Sequence, residues 1–220
     1  IKNRNSKKIV LNKKIKEDLK IDPKFENKIL VQSNGYDEDF FFLSKNKIQK
    51  QVIFAGSIYR LGIDRDLEFI IDSFKDSRLS QYTLKIFGGT EEESSNLKKK
   101  CTGVKNINVF PKISKKQLSN ELANSEIALL TGKNDSFSSN YTSPIKFYEY
   151  SISGAKVVAV DFPAHRNLDH YNNMVFYKYN DKESFISAIL SASNFNLQFE
   201  NLNLIMTIDK RVKNIIQFIN

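Results

Sequence analysis

The sequence predicts an α/β fold, a parallel sheet with helices on both faces. Three observations carry that expectation. Between residues 51 and 192, short apolar segments rich in Val and Ile alternate with amphipathic ones. Several of the apolar segments stop at Gly or Pro, where a strand turns into a loop: Gly56, Gly88, Pro111. The segments between them have a helical period, as crossover connections do, rather than the two-residue turns of hairpins.

The elements follow in order. Residues 6–19 place Ile9, Val10, Leu11, Ile15 and Leu19 close to a helical period, with Ser6 as N-cap. Residues 28–32 read as a short strand that ends in the Asn34-Gly35 turn. Residues 51–55, QVIFA, read as a buried strand. Residues 64–74 form a helix, since Leu67, Ile70, Ile71 and Phe74 share a face. Strand 82–87, polar helix 91–100 and strand 107–110 come next. Helix 114–124 starts at Ser114 and strand 126–130 follows. Helix 144–153 has Ser143 as N-cap, Pro144 at its first position and Gly154 closing it as a C′ glycine. Strands 156–160 and 174–179 precede a helix over 181–192, capped by Asp181, and a last helix spans 207–219. Residues 193–206 carry no assignment.

Composition narrows the classes. Of 220 residues, 40% are hydrophobic and 27% charged, which suits a folded globular chain and not a disordered one. The single cysteine, Cys101, excludes an internal disulfide framework and a cysteine zinc site. Two histidines, His165 and His170, leave little for a histidine-rich metal centre. No run approaches eighteen apolar residues, and no apolar segment backs the basic start, so neither a transmembrane helix nor a signal peptide is expected. The absence of an initiator Met points to a piece of a longer chain. The net charge of +9 suits nucleic acid or an anionic membrane surface, but the lysines are scattered among Asn residues and read as a solvated face. Most Phe and Tyr fall at core positions, which argues against a nucleic-acid module with interleaved aromatics.

In parallel sheets of this kind, ligands lie beyond the carboxyl ends of the strands. That singles out the loops 56–64, 88–91, 110–114, 131–143 and 161–168. In the first, Gly56 lets a ligand approach the backbone, and Arg60 or Arg65 is suited to phosphate oxygens. The loop is neither GxGxxG nor a Walker A loop, and QVIFAGS at 51–57 carries no Asp for an acidic pocket of the receiver type. The long polar loop 131–143 runs straight into the Pro144 helix. Its first turn offers the N–H groups of Ile145 and Lys146 with the Ser143 hydroxyl, a site for an anion. One turn on, Glu149 is placed to accept hydrogen bonds from a ribose diol.

Residues 143–161, SPIKFYEYSISGAKVVAVD, resemble the donor-binding signature of family 4 glycosyltransferases of the GT-B fold. Other pieces agree in order: VQSNGYDEDF at 31–40, VIFAGSIY at 52–59, LKIFGG at 84–89 and NVFPKISKKQLSNELANSEIALL at 108–130. The resemblance covers about residues 28–192. It implies a Rossmann-like half of a GT-B fold. Residues 1–40 would be the tail of the preceding half, 41–205 the donor-binding domain and 206–220 a C-terminal helix.

The resemblance also implies a function. The chain would bind a nucleoside-diphosphate sugar, its substrate, and would need no cofactor and no metal. The second Glu of the family's Glu-x7-Glu motif maps to Glu149, a ribose ligand. The first maps to Tyr141, a departure that leaves the sugar-hydroxyl contact to Tyr141 or Asp135. Gly56, Ser57 and Arg60 match the diphosphate turn, Lys146 is a second cation, and Phe110 and Pro111 would face the nucleobase. The implied reaction is transfer to an acceptor hydroxyl of a sugar or glycolipid, by front-side attack with retention. It would belong to cell-surface glycan synthesis, in the cytoplasm at the inner face of the membrane. The acceptor and the remaining catalytic groups would come from a missing N-terminal domain. The rival is an epimerase-like GT-B relative, which would want more carboxylates and histidines in the cleft than this sequence supplies.

Overall fold

The apolar runs are apolar on both sides, so each has to be covered on both faces, and pairing them edge to edge under two layers of helices does this. The computed structural model describes residues 6–20, 22–60, 63–168 and 172–220. In chain order the elements are β1 (Lys8–Val10), α1 (Lys13–Asp18), β2 (Ile29–Val31), β3 (Ile48–Ala55), β4 (Tyr59–Arg60) and β5 (Ile63–Asp64). Then come α2 (Leu67–Ser73), β6 (Thr83–Phe87), α3 (Glu91–Lys100), β7 (Ile107–Phe110), α4 (Lys115–Asn124) and β8 (Ser125–Leu130). The last are α5 (Ser136–Tyr141), α6 (Ile145–Ile152), β9 (Lys156–Val160), α7 (Pro163–Arg166), β10 (Met174–Tyr177), α8 (Lys182–Asn194) and α9 (Ile208–Ile219).

The main sheet has the order β10-β9-β8-β3-β6-β7, and every pair is parallel. The chain starts in the middle at β3, winds outward through β6 to β7, then returns to β8 and winds the other way. The order therefore reverses between β3 and β8, the place where doubly wound sheets leave a crevice.

The core has two layers, one on each face. Val52 and Phe54 of β3 pack with Leu67, Ile70, Phe74 and the α8 residues Phe185 and Ile189. The alternate residues Ile53 and Ala55 pack with Leu122, Phe147, Tyr148 and Tyr150 of α4 and α6. A strand period of two thus sends each strand's side chains into both layers. The expected fold class stands: an α/β, Rossmann-like parallel sheet.

Caps fix the helix ends. Ser114 and Gln117 form a reciprocal capping box at α4, and Asp181 accepts from Ser184 N–H at α8. Gly154 sits at φ +80° after α6, and a Cβ there would lie 2.4 Å from the Ser44 carbonyl oxygen.

The structure corrects five expectations. Helix 64–74 begins only at Leu67, because Ile63–Asp64 pairs antiparallel with Tyr59–Arg60. Residues 6–19 are not one helix. Lys8–Val10 is a strand paired in parallel with Ile29–Val31, and Asn12, not Ser6, caps α1. The N-cap of α6 is Pro144, not Ser143, so the proline stands one residue before the helix. The loops 131–143 and 161–168 each contain a short helix, α5 and α7. Residues 199–204 form a 3-10 helix in the stretch left unassigned.

Behind the sheet, the C-terminal segment returns to residues 32–36. Tyr36 N–H donates to Met206 O at 3.0 Å and Ile208 N–H to Tyr36 O at 2.8 Å. Arg211 Nε donates to Ser33 O at 3.1 Å and Asn214 Nδ2 to Gln32 Oε1 at 3.1 Å.

Candidate functional site

Two neighbouring cavities of about 530 and 400 Å³ lie at the carboxyl end of β3, one on the β8 side and one on the β6 side, and both are lined by Ser57 and Lys146. The larger lies between the ends of β3 and β8 and the helices α5, α6 and α7. The smaller lies between the ends of β3 and β6 and the start of α4, with Phe87, Ile113 and Leu118 as its apolar wall.

Helix α6 sets the geometry. Its start is free of a side-chain cap. The Ser143 hydroxyl instead accepts Asn34 N–H at 3.2 Å, and its carbonyl accepts Asn34 Nδ2 at 2.5 Å. Being first in the helix, the N–H groups of Ile145 and Lys146 have no carbonyl one turn back to bond, and the helix dipole adds positive potential there. The Tyr150 hydroxyl ties the helix to the end of β3. It donates to Ala55 O at 2.9 Å and accepts Ala55 N–H at 3.1 Å. This bond pair fixes where the next residues, Gly56 and Ser57, face the helix. A Cβ on Gly56 would lie 2.8 Å from Lys146 Cε, so only a bare backbone lets the lysine pass. Gly88 is tighter: its Cβ would lie 1.6 Å from the Gly56 carbonyl oxygen.

Lys146 and Glu149 stand one turn apart on α6, both half-buried. Burial pushes the Lys146 ammonium below its ordinary pKa; Glu149 opposes that and Arg65 adds to it. Burial pushes the Glu149 carboxyl up, against the pull of Lys146 and Lys115. Among the described residues neither makes a hydrogen bond or a salt bridge with its side chain. A half-buried cation, two free N–H groups and a half-buried carboxylate therefore face one crevice, where they suit a ligand with an anionic part and a hydroxyl-bearing part.

The structure gathers most of the expected residues here. Ser57, Arg65, Tyr141, Ser143, Pro144, Ile145, Lys146 and Glu149 line the larger cavity, and Gly56 lines the smaller. The side chain of Arg60, with Leu61, Gly62 and His170, lies outside the described residues. Phe110 and Pro111 line neither cavity. Phe110 is 38% exposed and stacks on Phe87 at 4.8 Å, while the next residues, Lys112 and Ile113, form the wall. Asp135 is occupied as the N-cap of α5, accepting from Phe137 and Ser138 N–H. The Tyr141 hydroxyl donates to Asp18 Oδ2 at 2.8 Å. Thr131, Lys112, Ile113 and His165 were not singled out from the sequence. The fold marks the strand ends and loops that hold them, but nothing in the sequence marks these residues within them. Among the described residues no group of three or more His, Cys, Asp or Glu is placed to hold a metal ion. None of the described helices is long and apolar enough to cross a membrane.

Solved structures share this architecture. The chain superposes on TarM with a TM-score of 0.67 at 16% identity, covering 96% of this chain and 43% of that one. For WaaG, a glycosyltransferase involved in lipopolysaccharide biosynthesis, the values are 0.62, 15%, 92% and 58%. For the sucrose-phosphate synthase of Thermosynechococcus elongatus they are 0.67, 11%, 95% and 56%. The chain thus spans about half the length of these proteins. No curated protein matches the sequence. The family described as glycosyl transferases group 1 matches residues 49–194, which is more than half of the chain. That stretch runs from β3 to α8 and contains all of the crevice lining but Leu11 and Asn34: the chain belongs to the group 1 glycosyl transferases and is built as the Rossmann-like half of a GT-B fold.

Proposed function

We propose that this chain is the donor-binding half of a glycosyltransferase that takes a sugar from a nucleoside diphosphate and passes it to an acceptor hydroxyl. One observation carries the reading: Lys146 and Glu149 are half-buried on the first turns of α6 with no described side-chain partner, beside the two cavities. A diphosphate laid on the helix N-terminus gives Lys146 its counter-charge, and the ribose hydroxyls donate to Glu149. The nucleobase lies in the smaller cavity, against Phe87 and Ile113. The sugar lies in the larger one.

The chemistry follows from the charges. Glycosyl transfer needs the diphosphate to leave as an anion, and preorganised cations and N–H groups stabilise the negative charge that develops on it. Lys146, Arg65 and the α6 N-terminus supply these from the protein, so the reading includes no metal and no cofactor. Retention by front-side attack belongs to the same reading. The small parallel pair β1–β2, separate from the six-stranded sheet, fits residues 1–40 as the tail of a preceding half that brings the acceptor. The reading extends to an acceptor in cell-surface glycan synthesis, the kind of role that the name of WaaG gives for that protein, and to transfer in the cytoplasm at the membrane face. This chain alone binds donor weakly and transfers nothing, an expectation that a radiolabelled-sugar assay checks directly.

The test is a thermal shift with UDP, GDP, ADP, CDP and dTDP on wild type and Glu149→Ala. One diphosphate at a hundred times its Kd stabilises the wild type by about 2.7 kcal/mol, and the shift is lost in the variant. Equal shifts in both remove Glu149 from the site. No shift with any diphosphate overturns the reading.

A further inference from the structure

Resting on the donor-site reading above, we infer that His165 accepts a hydroxyl of the donor's sugar ring and thereby helps to set which sugar is bound. The site needs such a group. Tyr141, which stands where the family motif has its first Glu, spends its hydroxyl on Asp18. Asp135 is spent on the start of α5. Neither carries a free carboxylate into the larger cavity.

His165 lines that cavity and is only 4% exposed. Its Nδ1 lies 2.8 Å from the Val160 carbonyl oxygen. A carbonyl only accepts, so Nδ1 carries the hydrogen and the tautomer is fixed. Nε2 is then a bare lone pair. No described residue donates to it. Burial, with Arg65 nearby, pulls the imidazole pKa down to about 4, so the ring stays neutral under ordinary conditions. The ring is also held in place: it sits on the short helix α7, 5.6 Å from the Phe162 ring, and its backbone N–H bonds Phe162 O at 2.9 Å.

A fixed acceptor repels phosphate oxygens, which carry no hydrogen. It suits a group that donates, and in a nucleotide sugar the larger cavity offers the sugar hydroxyls. The imidazole thus takes on work that a carboxylate does in the motif, without adding a negative charge beside the diphosphate.

The experiment separates sugar from nucleotide. Calorimetry on the full chain measures UDP against UDP-glucose, GDP against GDP-mannose and ADP against ADP-glucose, for wild type, His165→Leu and His165→Gln. For the pair that binds, His165→Leu is expected to lower the sugar-nucleotide affinity about tenfold and to leave the diphosphate within about twofold, the discrimination one hydrogen bond gives. His165→Gln, which keeps an acceptor, recovers part of the loss. An equal fall for diphosphate and sugar nucleotide assigns His165 to packing and overturns the inference, as does no change in either. Wild type that binds the diphosphate while His165→Gln and His165→Leu leave the sugar contribution untouched sinks this inference alone. Wild type that binds none of the five diphosphates named above sinks the donor-site reading beneath it.

Discussion

The two ends of the central sheet treat buried charge in opposite ways. At the N-terminal ends of the strands, Glu126 at the start of β8 has a side chain only 4% exposed, and it bonds Lys156 Nζ at 3.2 Å across to β9. Its other oxygen takes the Lys50 N–H at 2.6 Å. Lys47, close by, donates to the carbonyl oxygens of Leu122, Ala123 and Ser153, at the last turns of α4 and α6, although burial pulls its pKa down to about 7. At the C-terminal ends, Lys146 and Glu149 are desolvated and left unbonded. The protein satisfies the charges it uses to hold itself together. The charges it leaves open are those that the proposed reading gives to a ligand.

That contrast can be broken. Glu126→Gln takes the carboxylate from Lys156, which keeps the Ser193 carbonyl oxygen at 3.2 Å, and is expected to cost about 3 kcal/mol in urea unfolding, while the diphosphate shift per site occupied stays unchanged. A loss of nucleotide affinity in a folded Glu126→Gln protein would erase the distinction between the two ends. Acid titration comes next in size. Free imidazole takes up a proton below pH 6.5, but folded His165 does so only near pH 4. Between these values the unfolded chain holds more protons, so stability falls as the pH drops from 6.5 to 4, by about 3 kcal/mol from this residue. In His165→Gln that part of the acid slope disappears, which thermal melts across the range will show. The smallest effect on the fold is the sharpest on the site. Lys146→Met is expected to weaken diphosphate binding tenfold or more, about 1.4 kcal/mol, yet to cost far less stability than Glu126→Gln. If it unfolds the chain instead, Lys146 belongs with the structural charges.

How legible was this from the residues alone? The sheet was, because buried parallel strands write themselves as runs such as QVIFA and KVVAV, and because Ser114, Asp181 and Gly154 mark helix ends by local chemistry. Residues 6–19 misled because Ile9, Val10 and Leu11 fit a helical period about as well as a strand. The deciding partner, Ile29–Val31, lies far along the chain. Ser143 looked like a cap for the same reason: Asn34 competes for it from 109 residues away. The helices α5 and α7 are too short to show a period. Of the site, Lys146 and Glu149 were readable from the helix start they share. His165 was not, since the role proposed for it depends on a tautomer that only the Val160 carbonyl reveals.

The return of the C-terminal segment to residues 32–36 has a mechanical meaning. Where one passage of chain joins two bodies, each can swivel as well as bend. Here the outgoing passage at Ser33–Tyr36 and the returning one at Met206–Asn214 run side by side and are bonded to each other. Such a double strap bends about one axis and resists torsion. The β1–β2 pair is also fastened at the far side of the crevice, where Asn34 bonds Ser143 and Tyr141 bonds Asp18, so any swing of the pair would have to break those bonds as well as bend the strap.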